Sequence, residues 1–176
     1  MKLIKWSLTV LLAVILMFSL ANAEDKTDIP SVKIKNLQGE TIDTKDFSND
    51  GKPFIINFWA TWCKPCITEL SNIHDVYIDW QDETGVKIIA VSIDDSRNSK
   101  RVRPFVNGRG WEYEVYLDEN GDFKRKMNVN NPPYTFLCDG DGKIVWQHSG
   151  YAPGDEDNLI EKVRELIEDG KQDESE

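Results

Sequence analysis

Phe54-Ile55-Ile56-Asn57-Phe58-Trp59-Ala60-Thr61-Trp62-Cys63-Lys64-Pro65-Cys66 is the stretch from which the fold can be read. Its first six residues form a nearly continuous apolar run, the pattern of a strand buried on both faces. The period then changes. Cys66, Leu70, Ile73, Tyr77 and Trp80 step by four, three, four and three, one stripe of an amphipathic helix. The two cysteines therefore stand where a buried strand hands over to a helix. Gly85 ends that helix, and residues 86–93 make a second buried strand.

Working outward, residues 96–107 read as a helix interrupted or restarted at Pro104. Residues 113–117 are a short strand, Asp118-Glu119-Asn120-Gly121 a turn, and 122–127 a short helix. Residues 135–138 and 143–148 pair as a hairpin across Asp139-Gly140-Asp141-Gly142. Leu159, Ile160, Val163, Leu166 and Ile167 define a closing helix, stopped by Gly170. Towards the N-terminus, Val32-Lys33-Ile34-Lys35 alternates as a strand, and Thr41-Ile42 pairs back across the turn at Gln38-Gly39-Glu40. This order predicts an α/β protein, a three-layer α/β/α sandwich with a central mixed sheet and an N-terminal β extension. The Asp-rich turns lack the spacing of a calcium loop and read as turns.

The chain has 176 residues, 40% of them hydrophobic, with six tryptophans, which suits one well-packed domain. Twenty-one Lys and Arg face 31 Asp and Glu, a net charge of −10, so nucleic acid is excluded as the main partner. Three cysteines are too few for a disulfide-stapled scaffold. Lys2 and Lys5, an apolar run over residues 8–20 and then Ala21-Asn22-Ala23 form the pattern of a secretory signal peptide. Residues 1–23 are accordingly expected to be removed after Ala23, an uncleaved membrane anchor being the alternative. The rest divides into a flexible lead (24–30), the domain (31–170) and an acidic tail (171–176). Export to the periplasm or cell envelope follows, a compartment in which disulfides persist.

A cysteine at a helix N-terminus faces unpaired backbone N–H groups and the positive end of the helix dipole. Both favour thiolate, so Cys63 is expected below the free-thiol value of about 8.5, and Lys64 acts in the same direction. Cys66 lies one turn on, close enough to close a ring with Cys63, and Pro65 suits a first turn because its missing N–H costs nothing there. An exposed attacking thiol with a tucked-in resolving partner is what reversible disulfide exchange requires. The competing readings are a structural disulfide and half of a zinc site. Zinc needs four ligands, and no second pair has suitable spacing. A three-residue loop gains little from closure.

From residue 31 to about residue 170 the chain resembles the thioredoxin superfamily, and within it the exported TlpA/ResA-like thiol-disulfide oxidoreductases. The resemblance rests on the stretch from Phe58 to Cys66, on Asn57 where cytosolic thioredoxins carry a buried Asp, and on Glu69 three residues after the second cysteine. Pro133-Tyr134-Thr135-Phe136-Leu137 with the following hairpin resembles the cis-proline loop. Two departures stand out: Ser71 replaces a helix-kinking Pro, and Cys138 an aliphatic residue. The resemblance implies a thioredoxin fold and a disulfide-exchanging enzyme with no metal or organic cofactor. Cys63 would be the nucleophile, Cys66 the resolving thiol, and Glu69 a modulator of proton transfer. Trp62, Lys64, Pro65, Pro132 and Pro133 would meet the client, Pro132 without an N–H to donate. The partners implied are client proteins with cysteine pairs, apocytochrome c among them, and a membrane thiol-disulfide electron donor, with the protein a monomer.

A peroxiredoxin-type peroxidase on the same fold is one alternative; it needs a Thr-x-x-Cys setting that Trp62-Cys63-Lys64-Pro65-Cys66 does not supply. A copper-binding assembly protein is the other, though its usual thiol spacing is wider. Trp59 and Trp62 are expected to shield the sulfurs, with a core role for Trp59 equally open. Cys138 reads as a packed, reduced thiol, His74 and His148 as ordinary residues. Arg97, Lys100, Arg101, Arg103 and Arg109 read as a solvated basic face.

Overall fold

The computed structural model describes residues 27–173; the signal-peptide reading and residues 174–176 of the tail lie outside them. The described strands are β1 (Thr27–Asp28), β2 (Lys33–Asn36), β3 (Thr41–Asp43), β4 (Phe54–Trp59), β5 (Lys87–Ser92), β6 (Glu114–Leu117), β7 (Tyr134–Cys138) and β8 (Lys143–Ser149). The helices are α1 (Lys64–Thr84), α2 (Val102–Arg109), α3 (Asp122–Lys126) and α4 (Asp155–Asp173). One mixed sheet runs in the order β1-β8-β7-β4-β5-β6-β2-β3. β5 is parallel to β4 and β6, and β7 is antiparallel to both β4 and β8. The β2-β3 hairpin is the expected N-terminal extension, joined to the far edge through β6.

Strand alternation splits the core in two. Ile55 and Trp59 of β4, Ile88 and Ala90 of β5 and Leu137 of β7 pack with Leu70, Ile73, Tyr77 and Trp80 of α1, Val102 and Val106 of α2, and Leu159, Ile160 and Val163 of α4. Phe54, Ile56, Phe58, Ile89, Val91, Phe136 and Cys138 pack on the other face with Phe123 of α3 and the N-terminal Ile29, Val32 and Ile34. All six residues of β4 are buried, as its apolar run requires. α1 is set on the sheet by polar contacts as well. The Tyr77 hydroxyl accepts the Ile88 N–H at 3.1 Å, and Tyr113 donates to the Leu70 carbonyl at 2.7 Å.

Three local expectations are corrected. Pro104 is not itself the break: the helical stretch changes two residues earlier, where a 3-10 turn at Ser99–Arg101 passes into α2, and Pro104 stands third in α2, in the first turn that tolerates proline. Gly170 does not stop α4, which runs on to Asp173; only a left-handed residue ends a helix in the manner of Gly85, at φ +68° after α1. The lead is tied down in part, because Thr27 and Asp28 pair with Ile144 and Lys143 of β8 and Ile29 is buried.

Candidate functional site

The loop after β4 is clamped before it reaches the cysteines. Asp94, fully buried just past β5, accepts the Thr61 N–H at 2.8 Å and the Thr61 hydroxyl at 2.7 Å. Ser92 also donates to Asp94, at 2.8 Å, and Ile93 N–H donates to the Trp59 carbonyl at 2.9 Å. Asp94 escapes a reading by motif. Its signal is a carboxylate closing an apolar strand at the carboxyl edge of the sheet, where parallel pairing sets Ser92 beside Trp59.

Cys63 is the N-cap of α1, and Pro65 is in the first turn. The Cys63 backbone is extended, its N–H donates to Ala60 at 3.0 Å, and its Sγ accepts the Cys66 N–H at 3.3 Å. The sulfurs of Cys63 and Cys66 are joined in a disulfide with the Cα atoms 5.3 Å apart. The expected asymmetry is smaller than predicted: Cys66 is fully buried, but Cys63 is itself only 5% exposed in this oxidised form. Lys64 and Pro65 are exposed beside it.

One turn beyond Cys66, Glu69 is buried at 4% exposure. Its Oε1 accepts the Thr135 hydroxyl at 2.9 Å, and Thr135 Oγ1 accepts from the Asn57 amide at 2.9 Å. Glu69 Oε2 and Asn57 Oδ1 are buried without a protein partner. Burial pushes the Glu69 carboxyl up to about 7; the nearby Asn57 amide and the Thr135 hydroxyl oppose this, and the charges of Asp155 and Glu156 add to it. Thr135 lies inside the Pro133–Leu137 stretch quoted for the resemblance, but motif reading gives it no role of its own. Its signal is a hydroxyl inside an apolar strand, and register sets it opposite Asn57.

Pro132 and Pro133 are joined by a cis peptide bond, and the Pro133 carbonyl accepts the Gly150 N–H at 2.9 Å. Tyr134 pairs with Phe58, so this turn lies at the end of β4 that leads to the cysteines. Trp59 is in the core, edge-to-face with Trp111 at 5.3 Å, and shares one apolar cluster with both cysteines. Trp62, next to Cys63 in the chain, is 62% exposed. Cys138 pairs with Phe54 at the opposite end of β4 and is a buried free thiol. The five basic residues are exposed, Arg109 lying 4.1 Å over the Phe105 ring. Among the described residues no three His, Cys, Asp or Glu side chains come together as a metal-ligand group.

Residues 26–147 match the AhpC/TSA family. The thiol-disulfide oxidoreductase ResA of Bacillus thuringiensis subsp. konkukian is 34% identical over 131 residues, covering 72% of this chain and 73% of that protein. The thiol:disulfide interchange protein DsbE of Yersinia pestis is 34% identical over 142 residues, covering 74% and 71%. Among solved structures, a thioredoxin-like protein from Porphyromonas gingivalis superposes with a TM-score of 0.74 at 56% identity, covering 82% of this chain and 95% of that one.

Proposed function

The chain belongs to the AhpC/TSA family and is a thiol-disulfide oxidoreductase, and from that premise we propose that Cys63 attacks, Cys66 resolves and Glu69 takes the proton of Cys66. The observation that carries this reading is the disulfide closed across the N-cap of α1 with a buried carboxyl one turn behind it. In the reduced enzyme, the Cys63 thiolate attacks one sulfur of a client disulfide. A Cys63–client bond forms, the client S–S bond breaks, and the second client sulfur leaves as a thiolate. Cys66 then gives its proton to Glu69 and attacks the Cys63 sulfur. The internal disulfide forms, the first client sulfur leaves, and two electrons have passed from enzyme to client.

The reading favours reduction of client cysteine pairs, apocytochrome c among them, in the cell envelope after removal of residues 1–23. A membrane thiol-disulfide donor would restore the dithiol. Trp62, Lys64 and Pro65 form the rim that meets the client, and the Pro132-Pro133 turn the opposite lip. Pro132 offers an extended client a carbonyl but no N–H. The relatives' names speak for dithiol exchange, not peroxide reduction. The test is trapping: Cys66→Ser should accumulate mixed disulfides with clients and Cys63→Ser should not. Equal trapping by both, or by neither, would overturn the assignment.

A further inference from the structure

A polar row crosses the sheet beneath α1. Asn57 of β4 pairs with Thr135 of β7, and Thr135 pairs with His148 of β8. Directly opposed residues share one face of a sheet, so the row runs from the buried centre to a half-exposed margin. Glu69 reaches this row from α1. Thr135 satisfies its Oε1, while Oε2 is buried and has no protein partner. An unsatisfied carboxyl oxygen is costly, and a bound water is its usual remedy.

A cavity of about 10 Å³ lies here, its polar wall formed by Glu69, Thr135, His148, Asp155 and Glu156. That is room for one water, with more polar groups around it than a water needs. Glu156 is already engaged, accepting from the Tyr151 hydroxyl at 2.6 Å. His148 is held in place: it stacks on Trp146 with the rings 9° from parallel, and its Nε2 lies 3.6 Å from Asp155 Oδ2.

We propose that a single water in this cavity joins Glu69 Oε2 to His148, and that His148, braced by Asp155, is the port through which Glu69 exchanges its proton with solvent. The proposal rests on Glu69 taking the proton of Cys66. Once the internal disulfide has closed, Glu69 holds one proton too many, and the sulfurs in front of it offer no acceptor. The carboxylic acid passes that proton to the water, the water passes one to the imidazole, and the imidazole releases one outside, which returns Glu69 to the carboxylate that takes the next proton from Cys66. The other groups around Glu69 do not serve. Asn57 and Thr135 do not change protonation state. Tyr113 donates to the Leu70 carbonyl and Tyr151 to Glu156, and Cys66 is consumed by the disulfide. His148 acts only through Glu69 and is a positioning residue for its proton.

His148→Gln keeps a polar side chain but cannot take up a proton. Turnover with a disulfide peptide should fall about tenfold near neutral pH, less than for a group acting directly on the reacting atom, and imidazole added to the buffer should restore most of the loss. Hydrogen–deuterium exchange of the Glu69 carboxyl, followed by infrared difference spectroscopy on oxidised protein, should slow by the same factor. A His148→Gln enzyme with wild-type turnover and exchange at every pH overturns the port, as does a loss of turnover that imidazole cannot restore. Glu69→Gln run beside it separates the two ideas. If Glu69→Gln leaves resolution of the mixed disulfide unchanged, the role of Glu69 itself fails; if it slows resolution while His148→Gln does not, only the port fails.

Discussion

The three cysteines show how one side chain acquires different chemistry from its position. Cys63 Sγ already accepts the Cys66 N–H at 3.3 Å at a helix start. Reduction to a thiolate turns that contact into a charge-assisted bond at the positive end of the dipole. In the reduced protein Cys63 should therefore titrate below about 8.5, measured as thiolate absorbance or alkylation rate against pH; a value at or above that refutes the N-cap argument. Cys138 has the opposite surroundings. Burial and the neighbouring Asp139 push its thiol far above the ordinary range. It also lies opposite Phe54, a strand length of about 17 Å from Trp59 at about 3.3 Å per residue. Cys138→Val should leave turnover intact and change stability by less than about 1.5 kcal/mol. A large loss of turnover in a folded variant would give Cys138 a redox role.

At the scale of elements, the two glycines flanking one end of the sandwich differ in what a methyl group would meet. Gly170 lies inside α4, and a Cβ there meets nothing within 4 Å. Gly170→Ala should stabilise the protein by up to about 1 kcal/mol, read as a higher urea midpoint, because alanine restricts the unfolded chain without strain. Gly140, in the β7–β8 turn, is the counter-case: a Cβ would lie 2.1 Å from the Gly51 carbonyl oxygen. Gly140→Ala should lower the midpoint, since backbone must shift to admit it. Equal effects at both sites would show that packing against Gly51 does not matter. Periodicity made α1, β4 and β5 legible, since each repeats a local pattern. The ends of α2 and α4 were not, because Pro and Gly are read by position within a turn and that position is set by neighbouring elements.

For the molecule as a whole, burying Glu69 links folding to pH. Folding raises its carboxyl from the ordinary 4.5 to about 7, so the native state holds the proton more tightly than the unfolded chain. Stability from this group is fully present at acid pH, falls as pH rises through that window and levels off above it, a loss of about 3 kcal/mol. Urea midpoints of the oxidised protein across the window should show the fall in wild type and not in Glu69→Gln. Parallel slopes in the two proteins would remove Glu69 as its source. The same burial prepares the carboxyl to take and return a proton near neutrality, so the stability cost and the proposed chemistry have one cause.

The strand–Cys63-Cys66–helix unit, the α/β class and the disulfide chemistry follow from the sequence by itself, because each rests on residues within one turn or one strand of each other. The surroundings that tune this unit were decided by tertiary structure. Asn57 meets Thr135 across 78 positions, Thr135 meets Glu69 across 66, and Asp94 grips Thr61 across 33. No local period encodes those pairings. They arise from sheet register and from the docking of α1 and α4 on one face, which brings polar residues from separate strands into a single row running from buried Asn57 to half-exposed His148.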